Sequence, residues 1–144
     1  MLVTKNKFLQ YRKLFYQKVL KTPYKIQLEV VSVEKPTTEE FSFESFVGDS
    51  PRTSKFYELR ALYEKEISDR TREKYGLPKE VNGVVYLSPL QLIPLFGDYH
   101  LDWNKTKVHF EGSTQVINKV VYLEEVYGSC VGVQIFLKDA LRGG

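Results

Sequence analysis

The chain has 144 residues, of which 42% are hydrophobic and 27% are charged, and its formal net charge is +3. Domains of about 100–200 residues are usual, so we predict a single globular domain over residues 1–144. No apolar run reaches the roughly 18 residues of a membrane-spanning helix, and the single cysteine, Cys130, excludes an internal disulfide framework and a cysteine-rich zinc site.

The charge is divided unevenly along the chain. Residues 1–28 contain seven basic residues and no acidic one, which leaves 14 basic and 18 acidic residues for the remaining 116. A basic head on a mildly acidic body indicates a contact with nucleic acid, a membrane surface or an acidic protein, with a solvated helix face as the alternative. The head lacks the apolar stretch and cleavage site of a secretory signal, so we expect it in the mature protein, in a reducing cytoplasm.

The spacing of apolar residues predicts a basic amphipathic helix over residues 5–21. Its apolar side chains recur on one helix face, at Phe8, Tyr11, Phe15 and Val19. Pro23 ends the helix, because proline disfavours the helical conformation in the residue before it. Basic residues alternate with aromatic ones, an arrangement that can contact phosphates and stack on bases, or dock on an acidic protein. The candidate contact residues are Lys5, Lys7, Arg12, Lys13, Lys18 and Lys21.

A strand and a long loop are predicted to follow. Residues 25–34 alternate between apolar and polar side chains, as a strand does, and the alternation slips after Val30, which predicts a β-bulge. Residues 35–54 are predicted to form a loop, and a loop of about 20 residues in a compact domain is often functional. The candidate functional residues of this loop are Glu39, Glu40, Phe41, Phe43 and Asp49.

A long inserted helix is predicted over residues 55–75. Ser54 is its predicted N-cap, and Gly76 and Pro78 supply the signals expected at a helix C-terminus. The apolar side chains that mark its buried face are Phe56, Leu59, Tyr63 and Ile67.

Residues 79–139 are predicted to be rich in β-structure. The candidate strands are 84–87, 98–103, 107–111, 115–124 and 130–138. Turn signals separate them at Asn82-Gly83, Ser88-Pro89, Gly97, Asn104-Lys105, Glu111-Gly112-Ser113 and Tyr127-Gly128, and Asn82-Gly83 is predicted to be a hairpin turn. The predicted fold class is therefore α+β, mainly β: a small antiparallel β-barrel with an N-terminal helix and one long inserted helix.

Two groups of residues have the chemistry for metal binding or catalysis, and each has a plainer interpretation. Asp98, His100 and Asp102 alternate along a predicted strand and could ligate a metal, but the polar face of a half-buried strand gives the same pattern. Cys130 could pair with His100 or His109 as a nucleophile, but a cysteine that opens an apolar strand is typical of a small buried residue. We therefore predict no enzymatic activity, no metal and no cofactor.

Residues 140–144 are predicted to form a flexible tail. Their Gly143-Gly144 ending resembles the conjugation tail of ubiquitin-like modifiers, in which two glycines fit a narrow ligase or protease channel. The helix predicted at 55–75 starts too late for that fold, so the flexible tail is our interpretation.

The last third of the chain has a recognisable order of strands and turns. The strand predicted at 107–111 leads through the glycine turn at Gly112 into an I-x-x-V strand at 115–120. A final apolar strand ends in charged residues at 134–139. This order of strands and turns resembles the C-terminal half of the head–tail joining proteins of tailed bacteriophages, the head-closure or stopper family. Residues 26–30 are similar to that family's early strand.

The resemblance implies a structural virion protein of the phage neck, present in the host cytoplasm during assembly. Copies would form a ring between the portal or connector and the tail, close the DNA channel and offer a tail-attachment surface. The predicted long loop would be the mobile element of each copy that faces the channel or a neighbouring copy. The implied partners are further copies of the chain, a portal or connector adaptor protein, a tail protein and packaged DNA, without a membrane. Stopper, connector adaptor and tail terminator stay open as roles. A small nucleic-acid-binding β-barrel with a basic N-terminal helical arm is the alternative function.

Overall fold

The computed structural model describes residues 4–33 and 52–139, which form a mainly β structure with three helices. The helices are α1 (Lys5–Leu20), α2 (Asp69–Tyr75) and α3 (Pro89–Phe96), and a short 3₁₀ turn covers Trp103–Lys105. The strands are β1 (Lys25–Val33), β2 (Arg52–Arg60), β3 (Leu62–Glu64), β4 (Val81–Leu87), β5 (Thr106–Phe110), β6 (Ser113–Leu123) and β7 (Gly132–Asp139).

All seven strands belong to one antiparallel sheet in the order β2-β1-β5-β6-β7-β4-β3. The predicted α+β, mainly β class is confirmed. The predicted closed barrel is not seen, because no pairing among the described strands joins β2 to β3.

The two ends of this sheet are nevertheless adjacent in the chain. Only Ala61 separates β2 from β3, and this residue is fully buried. Every strand contributes side chains to one apolar cluster, so the sheet curls around a single core. The two edge strands of the sheet, β2 and β3, are thus consecutive in the chain, and we call the place where they join the seam.

Three aromatic rings pack together beside the seam, of which Phe110 is buried and Tyr24 is 40% exposed. Tyr63 on β3 lies 4.5 Å from Phe110 on β5, measured between ring centroids, although three strands separate β3 from β5 in the sheet order. Tyr24, just before β1, lies 5.9 Å from each of these rings. Gly83 makes room for Tyr63, since a Cβ at that position would lie 3.1 Å from the Tyr63 ring. These ring contacts join the β3 edge of the sheet to β5 and to the chain that enters β1.

The helices cover the outer face of one half of the sheet and part of the core. In α1, Phe15 packs directly on Gly132 of β7, where a Cβ would lie only 2.7 Å from the ring. Near α2, Tyr75 and Leu77 pack on Phe136, which points outward from the same strand. Helix α3 places Leu92 in the main core. The outer faces of β1, β2 and β5 carry no described helix.

The N-terminal helix agrees with the prediction over Lys5–Leu20. Thr4 is its N-cap and accepts a hydrogen bond from the Lys7 amide, which satisfies one unpaired amide of the first turn. Phe8 and Val19 are buried as predicted. Tyr11 was predicted on the buried face but is 49% exposed, because the helix rests on the sheet through a narrower stripe than its apolar residues suggest.

The predicted helix over residues 55–75 is wrong over its first two-thirds, residues 55–68. Residues 52–60 and 62–64 are strands, and the helix begins only at Asp69, with Ser68 rather than Ser54 as its N-cap. Leu59 in β2 and Ala61 just after it are buried in the core, whereas Phe56 is 57% exposed. Nine consecutive pairs with β1 outweigh the helical spacing of the apolar residues, since tertiary pairing overrides local propensity. The end of the helix at Tyr75, with Gly76 in the left-handed conformation, is confirmed.

Other local predictions also need correction. The β-bulge expected after Val30 is absent, because β1 pairs with β2 in one unbroken register. Asn82-Gly83 is not a hairpin turn but lies inside β4 at a shift of register against β7. The strand expected at 98–103 is irregular chain followed by the 3₁₀ turn. The predicted strands near 25–34, 84–87, 107–111, 115–124 and 130–138 are confirmed within a few residues.

Two predicted segments lie outside the described residues: most of the loop at 35–54, with Glu39, Glu40, Phe41, Phe43 and Asp49, and the tail at 140–144. The described chain shows only where the first of these is anchored. Val33 pairs with Arg52, so the chain leaves and re-enters the sheet at the same end of the β1–β2 hairpin.

Removal of the Tyr63 ring should destabilise the fold. We expect Tyr63→Ala to lower the free energy of unfolding by about 2–3 kcal/mol, because both ring contacts beside the seam are lost. Tyr63→Phe keeps the ring and should cost less than about 1 kcal/mol. Urea denaturation of both variants measures the difference, and equal losses for the two would contradict a role for the ring.

Candidate interaction surface

The six basic residues predicted as contacts do not share one surface. Lys5, Lys7, Lys13, Lys18 and Lys21 are exposed on or beside α1. Arg12 instead turns toward the sheet, where its guanidinium donates a hydrogen bond of 2.9 Å to the Ser129 hydroxyl. The Arg12 Nε is buried without a described hydrogen-bond partner. Arg12 therefore anchors the helix, and the lysines carry the charge that is accessible to a partner.

One exposed face of α1 combines apolar and basic side chains. Lys7, Tyr11, Leu14 and Lys18 follow one another at the four-three-four spacing of a single helix face, and we call them the α1 stripe. Tyr11 is 49% and Leu14 is 53% exposed. Large apolar side chains at the centre of a charged helix face are typical of an interaction surface.

The positive charge of α1 is not neutralised within the described part of the chain. No described carboxylate lies within ion-pair distance of an α1 lysine. Lys5 and Lys7 lie in the first turn, which has no acidic residue. The helix dipole disfavours cations at this end, typically by about 0.3–1 kcal/mol each. Helix stability therefore does not explain these two lysines, whereas Lys18 lies at the favourable C-terminal end.

A second surface, which the sequence did not reveal, lies on the outer face of β1, β2 and β5, where none of the described helices packs. A groove of about 370 Å³ opens there, and we call it the β1–β2 groove. Phe56 on its wall is the most exposed large apolar side chain described, at 57%. The polar and charged residues that line the groove are Lys25, Gln27, Glu58, His109 and Glu111.

A polar network crosses four strands beside this groove. The Ser54 hydroxyl donates to Glu29 over 3.0 Å, Glu29 Oε1 lies 2.7 Å from His109 Nε2, and His109 Nδ1 lies 3.0 Å from the Thr114 hydroxyl. The hydrogen bond with His109 is the main cause that lowers the pKa of the Glu29 carboxyl, against the opposing effect of burial. Because Glu29 is occupied by two partners, the carboxylates of the groove left for a binding partner are Glu58 and Glu111.

The residues considered for metal binding or catalysis are directed to other partners. Asp98 accepts hydrogen bonds from the amides of Tyr99 and His100, and Asp102 lies 3.9 Å from Lys105. His100 lies 2.7 Å from Glu125. Within residues 4–33 and 52–139, no group of three or more His, Cys, Asp or Glu side chains is placed to hold a metal ion.

Cys130 is fully buried in the main core. Burial raises the pKa of its thiol to about 12, and the charge of Glu125 acts in the same direction. The neighbouring Tyr99 phenol donates to Glu125 over 2.8 Å, and burial raises its pKa as well. At neutral pH both groups are protonated, and the thiol is inaccessible to reagents in the folded chain.

Comparisons with known proteins give no relative from which the role of these surfaces could be inferred. No protein-family model, no curated protein and no solved structure matches the chain. Among the described helices, none combines the length and the hydrophobicity needed to cross a bilayer.

The Glu29–His109 pair should make stability depend on pH in the acidic range. The pKa of Glu29 is lower in the folded chain than its ordinary value of 4.5, so its contribution is complete above that value and is lost as the pH falls through the folded pKa. We expect the free energy of unfolding to fall less between about pH 5 and pH 3 in Glu29→Gln than in the unmodified chain. Glu58→Gln, which alters the exposed pair with Lys25, should leave the slope unchanged.

Proposed function

We propose that the chain is a structural protein of the tailed-bacteriophage neck, which acts by assembly. Copies form a ring between the portal or connector and the tail, close the DNA channel and offer a surface for tail attachment. The proposal places the protein in the virion and, during assembly, in the host cytoplasm. Stopper, adaptor and tail terminator are variants of this one role.

The segments that carry the resemblance to neck proteins support this proposal by their arrangement. Strands β5, β6 and β7 are consecutive neighbours at the centre of the sheet, and each pairs antiparallel with the next. Glu111 and Gly112, both with positive φ, form the tight turn between β5 and β6. A curled sheet around one core is a compact, rigid unit, which suits a ring subunit that bears load. We further propose that the sheet acts as a barrel, which side-chain packing beside the seam closes in place of strand pairing.

The observation that carries the proposal is the α1 stripe with its unneutralised lysines. A protein that acts by assembly needs surfaces whose charge and apolar groups are completed only by a partner. Tyr11 and Leu14 supply exposed apolar area, and Lys7 and Lys18 supply charge on both sides. An acidic surface of the portal, the connector adaptor, the tail protein or another copy would satisfy both.

Electron microscopy tests the neck function directly. The purified chain, at high concentration or mixed with a portal assembly, should give annular particles with rotational symmetry and a central channel. Lys7→Glu with Lys18→Glu should reduce the fraction of annular particles, while Lys79→Glu, an exposed lysine outside both surfaces, should not. A chain that stays monomeric alone and with portal assemblies would contradict the proposal.

A nucleic-acid-binding β-barrel is the second candidate, because the α1 lysines could also contact phosphates and Tyr11 could stack on a base. Under this alternative, binding to DNA or RNA should weaken steeply with salt, and Lys13→Glu with Lys18→Glu should make the log–log salt slope shallower by about two. Fluorescence anisotropy at several salt concentrations measures the slope. Unchanged binding in this variant would exclude the arm as a nucleic-acid contact.

A further inference from the structure

We propose that the α1 stripe of one copy docks in the β1–β2 groove of the next copy, so that the chain assembles head to tail. This inference rests on the proposed ring function and names the two surfaces that would build the ring. The occupant of the groove is therefore a second copy of this chain, presented as a helix on a sheet surface.

The two surfaces are complementary in chemistry. The α1 stripe has Tyr11 and Leu14 at its centre and a lysine at each end. The groove has Phe56 on its wall, with Glu58 and Glu111 among its lining residues. Docking would bring apolar side chains against the Phe56 ring and lysines against carboxylates. This is the usual mode in which an amphipathic helix binds a groove, with anchors spaced by three and four residues.

The exposure of Phe56 is the feature that calls for a partner. Its only described ring neighbour is His109, at 5.8 Å between centroids, and 57% of the residue stays exposed. Phe56 faces away from the core, since it pairs with the outward-facing Glu29. A strand position on a bare sheet face accepts polar residues readily, so an aromatic residue there is not required by the fold.

The charges on the groove leave room for a further cation. Lys25 lies 3.5 Å from Glu58, and both side chains are more than half exposed, so this pair is weak within one copy. Glu111 projects from the β5–β6 turn and has no ion-pair partner among the described residues. The groove can therefore accept Lys7 and Lys18 of a neighbour at Glu58 and Glu111, in an order that the direction of the docked helix decides.

The positions of the two surfaces lead to a ring or a filament rather than a closed dimer. Helix α1 packs outside β7 and β4, whereas the groove lies outside β1, β2 and β5. Strands β5 and β6 separate β1 from β7 in the sheet order, so the two surfaces face in different directions. A contact between two different surfaces is heterologous, and repetition of it gives a closed ring if the rotation closes.

Cysteine trapping tests the contact even when association is weak. Leu14→Cys combined with Phe56→Cys in one chain should give, under mild oxidation, a ladder of covalent species beyond the dimer on non-reducing gels. Each single variant alone should stay monomeric, and a mixture of the two single variants should stop at the dimer. The native Cys130 does not interfere, because it is fully buried and its thiol pKa is raised to about 12.

Matched variants decide whether the ladder reports this interface. Lys13→Cys with Phe56→Cys places the thiol on another face of the same helix and should give no ladder. Cross-linking of a single variant to itself would show a symmetric contact and overturn the proposal, as would a double variant that stays monomeric.

Charge reversal gives a second measurement that does not remove the apolar centre. Lys7→Glu with Lys18→Glu, or Glu58→Lys with Glu111→Lys, should weaken self-association by roughly tenfold in sedimentation velocity. A mixture of these two variants should recover association beyond the dimer, with the two variants in alternation. Both contacts between unlike copies then bring opposite charges together, whereas contacts between like copies stay repulsive. The matched controls are Lys79→Glu and Glu80→Lys, which are exposed outside both surfaces and should behave like the unmodified chain.

These outcomes separate the interface from the proposed function. Annular particles that persist in both charge-reversed variants would refute this interface and leave the neck function standing. A head-to-tail ladder from a chain that never forms annular particles, alone or with a portal, would support the interface and refute the neck function.

Discussion

The packing of Tyr24, Tyr63 and Phe110 beside the seam is the contact on which the rest of the structure depends. The hydrogen-bonded ladder ends at β2 on one side and at β3 on the other, and both strands come from one stretch of chain that turns at the buried Ala61. Among the described strands, no main-chain pairing joins these two edges. Aromatic side chains span such distances through apolar contact, and ring pairs add stabilisation beyond the area they bury. The three rings bring the β3 edge close to β5 and to the chain before β1.

The same region also positions the N-terminal helix. The chain between α1 and β1 passes beside the seam, where Arg60 donates a hydrogen bond of 2.7 Å to the Thr22 carbonyl and the Ala61 amide donates to the Tyr24 carbonyl. Further along the helix, Phe15 fits on Gly132 and Arg12 binds Ser129. The helix is thus fixed along its length by contacts of different kinds. Its lysines are presented on a rigid support, which lowers the entropy lost when a partner binds.

The sequence predicts the elements whose patterns are local, and it fails where partners distant in the chain decide. Helix α1 and strands β5 to β7 have strong periodicity and appear where expected. Strand β2 does not, because its apolar residues satisfy helical and strand spacing together, and only β1 selects the strand. Helix α3 was missed, although Ser88, Pro89 and Gln91 form a capping box with proline in the first turn, a signal that was available.

The two candidate surfaces also differ in how far the sequence predicts them. The lysines of α1 could be read from composition, but the inward turn of Arg12 depends on Ser129, which is 117 residues away. The β1–β2 groove could not be predicted at all, because β1, β2 and β5 come from separate parts of the chain. Phe56 was assigned to a buried helix face for the same reason. Only the sheet pairing shows that it points outward from a bare face.

The described helices cover only part of the outer face of the sheet, and this connects the fold to the proposed assembly. The outer face of β7 carries Phe136, which must be shielded from water, and the chain uses its own helices for this purpose. The outer face of β1, β2 and β5 carries a hydrogen-bonded polar network that water can solvate, so it needs no covering helix. Phe56 is the exposed apolar exception on this face. Lys5 and Lys7, meanwhile, oppose the dipole of α1 in the isolated chain. In the proposed contact, a neighbour's carboxylate would offset that cost at Lys7, and its Phe56 would cover the exposed Tyr11 and Leu14. One contact would thus reduce both unfavourable features of the single copy.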